Sequence, residues 1–232
     1  CAHSFFAGNS HMEGLAAFYG LNISKIITSI FGGMVTTDDE KFADQLKRTR
    51  EDLVTAEGTL REIRRSVYLA AALIAFYRPA YRTVNWLERK GFLDRFTTYY
   101  DPFLIDLPKD AFCKMGALEA RIGSQQTSRY SQIISHRRRL AEIYHAQLKN
   151  VGDLQLPPIH EDMTVSHFVV RTQKASDLKS ICLKNGIQLG ELIDYGVSDL
   201  PVYQSHKYVG KYRSRVFPPQ VINLPVHVGV RN

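Results

Sequence analysis

From His3 to Thr37 short apolar runs are punctuated by glycine (Gly8, Gly14, Gly20, Gly32, Gly33), a pattern that predicts strands and tight turns. Thr37-Asp38-Asp39-Glu40 then fits a capping box, and Phe42, Ala43 and Leu46 recur at helical spacing with Lys47, Arg48 and Arg50 closing the last turn. A helix of about three turns is expected there. The stretch Leu60 to Trp86 differs in kind: Val67 to Tyr77 is uncharged, bounded by arginines and broken by Pro79. It is too short for a bilayer, which needs about 20 apolar residues, so it reads as a buried core helix, with a membrane-surface or partner-facing helix as the alternative. Asp110 can cap a long helix whose apolar positions Met115, Leu118, Ile122, Ile133, Leu140, Ile143, Tyr144 and Leu148 largely follow a three-or-four spacing up to Gly152. That helix is expected to join two domains. After Pro157-Pro158 the pattern becomes a strand (His167 to Arg171), a capped helix from Ser176 to Leu183 stopped at Asn185-Gly186, a tyrosine-rich loop, and a second apolar strand from Val221 to Pro225. This is the pattern of a small α/β unit.

Composition narrows the class. The 232 residues, 44% hydrophobic and 23% charged, describe a globular chain with material for a core. Cys1, Cys113 and Cys182 show no paired close spacing, so neither a disulfide framework nor a zinc site is indicated, and a reducing cytoplasm is the expected location. The net charge is +7, of which the segment Thr59 to Tyr100 supplies +5. No nucleic-acid motif accompanies that charge, which reads as a solvated helical face or an anchor for anionic groups, and no nucleic-acid partner is expected. The chain opens at Cys1 without methionine and without a signal-peptide pattern, so a piece of a longer protein is expected.

The candidate for chemistry is Lys25, seven residues ahead of Gly32-Gly33-Met34-Val35. A lysine held in a β-rich segment between strands differs from a mobile surface lysine, and it can form a Schiff base with an aldehyde cofactor. Taken alone it reads first as a structural or surface lysine. His160, His206 and His227 have no ligand spacing.

Taken in order, Cys1-Ala2-His3-Ser4-Phe5, the Lys25 segment with Gly32-Gly33-Met34-Val35, Glu119-Ala120-Arg121-Ile122-Gly123 running into Arg137-Arg138-Arg139-Leu140-Ala141-Glu142-Ile143-Tyr144, and Asn223-Leu224-Pro225-Val226-His227 resemble the DegT-type nucleotide-sugar aminotransferases. The resemblance implies an α/β fold: the C-terminal part of a fold-type I pyridoxal-phosphate-dependent transferase. Residues 1–110 would be a remnant of the large cofactor-binding domain with a helical apolar and basic insertion near 59–100, residues 111–152 the connecting helix, and residues 153–232 the small α/β domain.

The resemblance also implies pyridoxal 5'-phosphate as cofactor. It places Lys25 at the covalent cofactor position, His3 near the cofactor's phenolic oxygen and Gly20 at the phosphate, with no metal. Related dehydratases carry histidine at the lysine position, so Lys25 favours transamination. The acid that pairs with the pyridine nitrogen would fall just before Cys1, and the chain by itself is expected to be a poor catalyst. Two departures stand out: Gly20 replaces a usual serine, and the segment between Thr59 and Pro102 replaces a usual asparagine-arginine loop. The expected reaction passes an amino group, from glutamate, to a nucleotide-linked keto-sugar in polysaccharide or amino-sugar biosynthesis, by a cytoplasmic homodimer. The alternative is a catalytically degenerate relative with a regulatory or membrane-docking role, touching a membrane surface through 67–77.

Overall fold

The computed structural model describes residues 14–56, 58–75, 77–92, 103–104, 111–161, 163–190, 200–203 and 220–230. The glycine-punctuated start forms an antiparallel pair, β1 (Ala17–Gly20) and β2 (Gly33–Thr36), with Ala17 opposite Thr36 and Gly20 opposite Gly33. The 21–32 loop between them is folded on its own backbone. The Leu21 N–H donates to the Gly32 carbonyl (3.0 Å) and the Ser29 N–H to the Leu21 carbonyl (2.8 Å), while Leu21, Ile26 and Ile30 are buried. Gly32 has φ +97°, a conformation that L side chains rarely adopt, so glycine meets a conformational demand there; a Cβ would also reach the Met115 terminal methyl at 2.7 Å, which that flexible side chain can move to relieve. Ile30, at φ +76°, is a β-branched residue in the left-handed region, a conformation costing on the order of 1–3 kcal/mol. Burial of its side chain and a 2.8 Å bond from its N–H to Thr28 Oγ1 hold it there.

Helix α1 (Glu40–Leu53) starts two residues later than a capping box on Thr37 would place it: the N-cap is Asp39, whose carboxylate accepts from the Phe42 N–H at 2.8 Å, while Thr37 Oγ1 accepts from the Asp39 N–H at 3.2 Å. Helices α2 (Thr59–Ala75) and α3 (Arg78–Arg89) follow and pack on each other. The core role expected for the apolar run is not realised: among the described residues none in α2 is fully buried. One side of it reaches the 21–32 loop, where the Arg65 guanidinium lies 4.4 Å over the Phe31 ring and the Tyr68 ring lies tilted against the same ring, 5.2 Å between centroids. The other side faces outward.

The single helix expected from Asp110 to Gly152 is two helices, α4 (Ala117–Ser128) and α5 (Tyr130–Leu148), and Asp110 lies outside the described residues. Arg129 breaks the ladder at φ −97°, ψ 2°. Just before it, the Thr127 and Ser128 hydroxyls donate to the Gly123 and Gln125 carbonyls, both at 2.9 Å, so side chains compete with the backbone where the helix ends. The true start of α4 is held by Glu119, whose carboxylate accepts from the Gly116 N–H at 2.9 Å.

The last part is the expected small α/β unit. Strand β3 (Phe168–Arg171) pairs antiparallel with β4 (Val221–Leu224), and α6 (Ala175–Lys184) packs against β4. Phe168 and Val170 alternate inward from β3 and meet Ile222, Leu140, Ala141 and Val165 in one core. Helix α6 begins at Ala175, and Ser176 does not cap it; Thr172 Oγ1 accepts from the Lys174 N–H (3.1 Å), and Asp153 accepts from Thr172 Oγ1 (2.7 Å) and the Gln173 N–H (2.8 Å). It stops at Asn185-Gly186 as the sequence indicates, with Gly186 at φ +80°.

Candidate functional site

Lys25 lies in the loop between β1 and β2, not on a strand. Its backbone is fixed from both sides: its N–H donates to the Asn22 carbonyl (3.0 Å), and the next residue, Ile26, is buried. The Asn22 side-chain oxygen accepts from the Ser24 N–H (3.2 Å) and Ser24 Oγ (2.7 Å), a local turn that short polar side chains favour. The lysine side chain is half-buried. Below the loop, Ser29 is fully buried, donates to the Phe31 carbonyl, and sits against Gly123 of α4, where an added Cβ would meet the Ser29 Cβ at 3.2 Å. The glycine is what lets α4 approach the lysine loop.

A second set of residues comes from the C-terminal part. On α5, Arg137 Nη1 donates to the Val165 (3.2 Å) and Ser166 (2.9 Å) carbonyls, and Arg138 Nε donates to the Met163 carbonyl (2.8 Å). These bonds brace the segment leading into β3, and that segment carries His167 into the field of Lys25. Burial lowers the His167 pKa, and the positive charges of Arg137 and Lys25 lower it further. Burial also lowers Arg137 from its ordinary value. It raises Tyr130, whose hydroxyl bonds to Thr164 and which feels Arg138, Arg137 and Tyr19. His227 is lowered by partial burial and by Arg137 and His136. His167 is therefore held toward its neutral form within the field of Arg137 and Lys25.

Lys25 and Gly20 belong to one hairpin, since Gly20 ends β1 directly before the loop. His3 lies outside the described residues. His167, Arg137 and His136 were not singled out by sequence reasoning as site residues; Arg137 stood only in an arginine run and His167 only at a strand start. Whether these groups suit pyridoxal phosphate can be judged from their chemistry. Arg137 Nε and His136 Nε2 are buried nitrogens without a hydrogen-bond partner, and with the Lys25 amine and the Arg137 charge they fit an anionic aldehyde. Gly20 offers a phosphate only its backbone. Among the described residues no group of three or more His, Cys, Asp or Glu side chains could hold a metal ion.

The sequence matches the profile of the DegT/DnrJ/EryC1/StrS aminotransferase family over residues 105–232, a span that does not include Lys25. No curated protein matches the chain. Solved structures share its fold. DesI, solved in the presence of its TDP-sugar product, is 16% identical with a TM-score of 0.63 over 100% of this chain and 50% of its own. Helicobacter pylori PseC, an aminotransferase of pseudoaminic acid biosynthesis, is 15% identical with a TM-score of 0.63 over 99% of this chain and 53% of its own. A protein of Streptococcus pneumoniae described as a candidate sugar aminotransferase, solved in both PMP and PLP forms, is 15% identical in the PMP form with a TM-score of 0.65 over 100% of this chain and 54% of its own. The chain thus has the α/β fold of the fold-type I transferases and spans about half the length of these structures.

Proposed function

The chain belongs to the DegT/DnrJ/EryC1/StrS aminotransferase family, and from that membership we propose that the protein transfers an amino group from glutamate to a nucleotide-linked keto-sugar, with Lys25 holding pyridoxal phosphate. The observation that carries this reading is the half-buried lysine on a hydrogen-bonded loop, whose positive charge, with that of the braced Arg137, acts on His167 from another part of the chain. Pyridoxal phosphate, when bound, supplies the aldehyde and a ring that accepts the electron pair left at a substrate Cα. The chain's own residues then have separate tasks. Lys25 Nζ, once free, takes the proton from Cα and returns it on the other side of the transfer. The His167 imidazole, held toward its neutral form by burial and by the charges of Arg137 and Lys25, serves as a hydrogen-bond partner for a sugar hydroxyl. Arg137 holds the carbonyls that position His167 and adds a fixed charge facing anionic groups. In this reading His3 contacts the cofactor's phenolic oxygen, and the Gly20 backbone lies at its phosphate.

The same reading includes a cytoplasmic homodimer, working in polysaccharide or amino-sugar biosynthesis. The test is chemical. The full-length protein is incubated with pyridoxal phosphate, reduced with borohydride and mapped by mass spectrometry. A pyridoxyl group on Lys25, lost in Lys25→Ala, is the expected result. Folded protein without an adduct would favour the second reading, a catalytically degenerate relative, for which the missing side-chain donor at Gly20 is the specific observation.

A further inference from the structure

Helix α2 has two faces of different character. Arg65 and Tyr68 point inward, to Glu119 and Phe31. Leu60, Ile63, Val67 and Ile74, spaced by three, four and seven residues, line the roughly opposite side and are all exposed, Leu60 to 81% and Ile74 to 65%. The helix is about 25 Å long, so this stripe runs much of its length. Just beyond it Tyr77 and, on α3, Trp86 are also exposed. Isolated apolar side chains on a surface need no explanation, but an ordered stripe continued by aromatic residues does.

The charge decides what the stripe fits. No acidic residue occurs between positions 63 and 87, and with Arg65 taken up by Glu119 the arginines of that span stand at 64, 78 and 82. Arg64 flanks the stripe and is exposed, and Lys90 is exposed just after α3. A second copy of this chain would bring like charge against like charge. A surface of anionic lipid headgroups would meet the cations while the apolar stripe enters the headgroup boundary, with tyrosine and tryptophan at the depth they favour. Among the described residues no helix is long and apolar enough to cross a membrane, so the geometry is that of a helix lying in the plane. We propose that the outer face of α2, continued by α3, docks the protein peripherally on an anionic membrane surface. This goes beyond the aminotransferase reading and does not depend on it.

The test is co-sedimentation of the full-length protein with phosphatidylcholine vesicles, with and without phosphatidylglycerol. Binding to the anionic vesicles alone, released by high salt, is expected. Val67→Glu with Ile74→Glu should lower that partition roughly tenfold or more, leaving the melting temperature and the mass in solution unchanged. Arg64→Gln with Lys90→Gln, a milder change, should weaken it severalfold. No binding to anionic vesicles, or binding indifferent to both pairs, overturns the proposal. A lower melting temperature in the glutamate pair would show the face to be covered by the protein's own chain, and a lower mass would show it covered by a second copy; either also overturns it.

Discussion

Lys25 keeps its place through neighbours that carry no chemistry: the Asn22 turn before it, buried Ile26 after it, and the strained Ile30 that folds the loop back toward Gly32. Its candidacy was legible in sequence because the lysine and the glycine pair are close together along the chain. His167 was not, because its nearness to Lys25 comes from the packing of α5 and the pre-β3 segment. It nonetheless makes a pH prediction. Burial first, then Arg137 and Lys25, hold the imidazole below its ordinary value of 6.5, so the folded form binds the proton less readily than the unfolded chain. Stability from this group is complete above that value and is lost as the pH falls through the lowered folded pKa. Between about pH 7 and about pH 5 the melting temperature should drop, and His167→Gln should make the drop smaller. An unchanged slope in the variant would place the acid sensitivity elsewhere.

At the scale of elements, the lysine loop, α2 and α4 are tied together by one buried ion pair. Glu119 is only 2% exposed, accepts from the Gly116 N–H at the start of α4, and pairs with Arg65 of α2, which itself covers Phe31. Removing one partner leaves the other charge buried and alone. Arg65→Ala is therefore expected to destabilise the protein by about 3–5 kcal/mol, read as a lower midpoint in urea. Replacing both residues by apolar side chains should cost less than the single change, because no lone charge is then left inside. The helix signals themselves were partly legible. The Asn185-Gly186 stop is local hydrogen-bond chemistry and stands where the sequence indicates, and the α1 cap falls within the indicated Thr37–Glu40 stretch but on Asp39. The break at Arg129 and the outward face of α2 are not local: apolar periodicity records that a helix has a stripe but not whether anything covers it.

Across the whole molecule, the C-terminal unit has the better-formed core, and its integrity sets the position of His167, the residue directly before β3. Phe168 is 1% exposed, meets Tyr144 at 5.4 Å between ring centroids, and packs with Val170 and Ile222. Phe168→Ala should cost about 3–5 kcal/mol through lost burial and the cavity left behind, measurable by urea denaturation. The small strand-helix-strand unit, the helix after the second strand and the lysine hairpin were determined by the sequence alone, since alternation, capping and glycine placement act within a few residues of one another. Family resemblance was likewise legible, being carried by the order of short motifs. Only the tertiary structure decided that α4 and α5 are separate, that α2 turns an apolar stripe outward, and that the charges of Arg137 and Lys25 act on His167. Those facts depend on contacts between residues distant along the chain, where burial, charge and the space left by Gly123 are set by the packing partner and not by the neighbours in sequence.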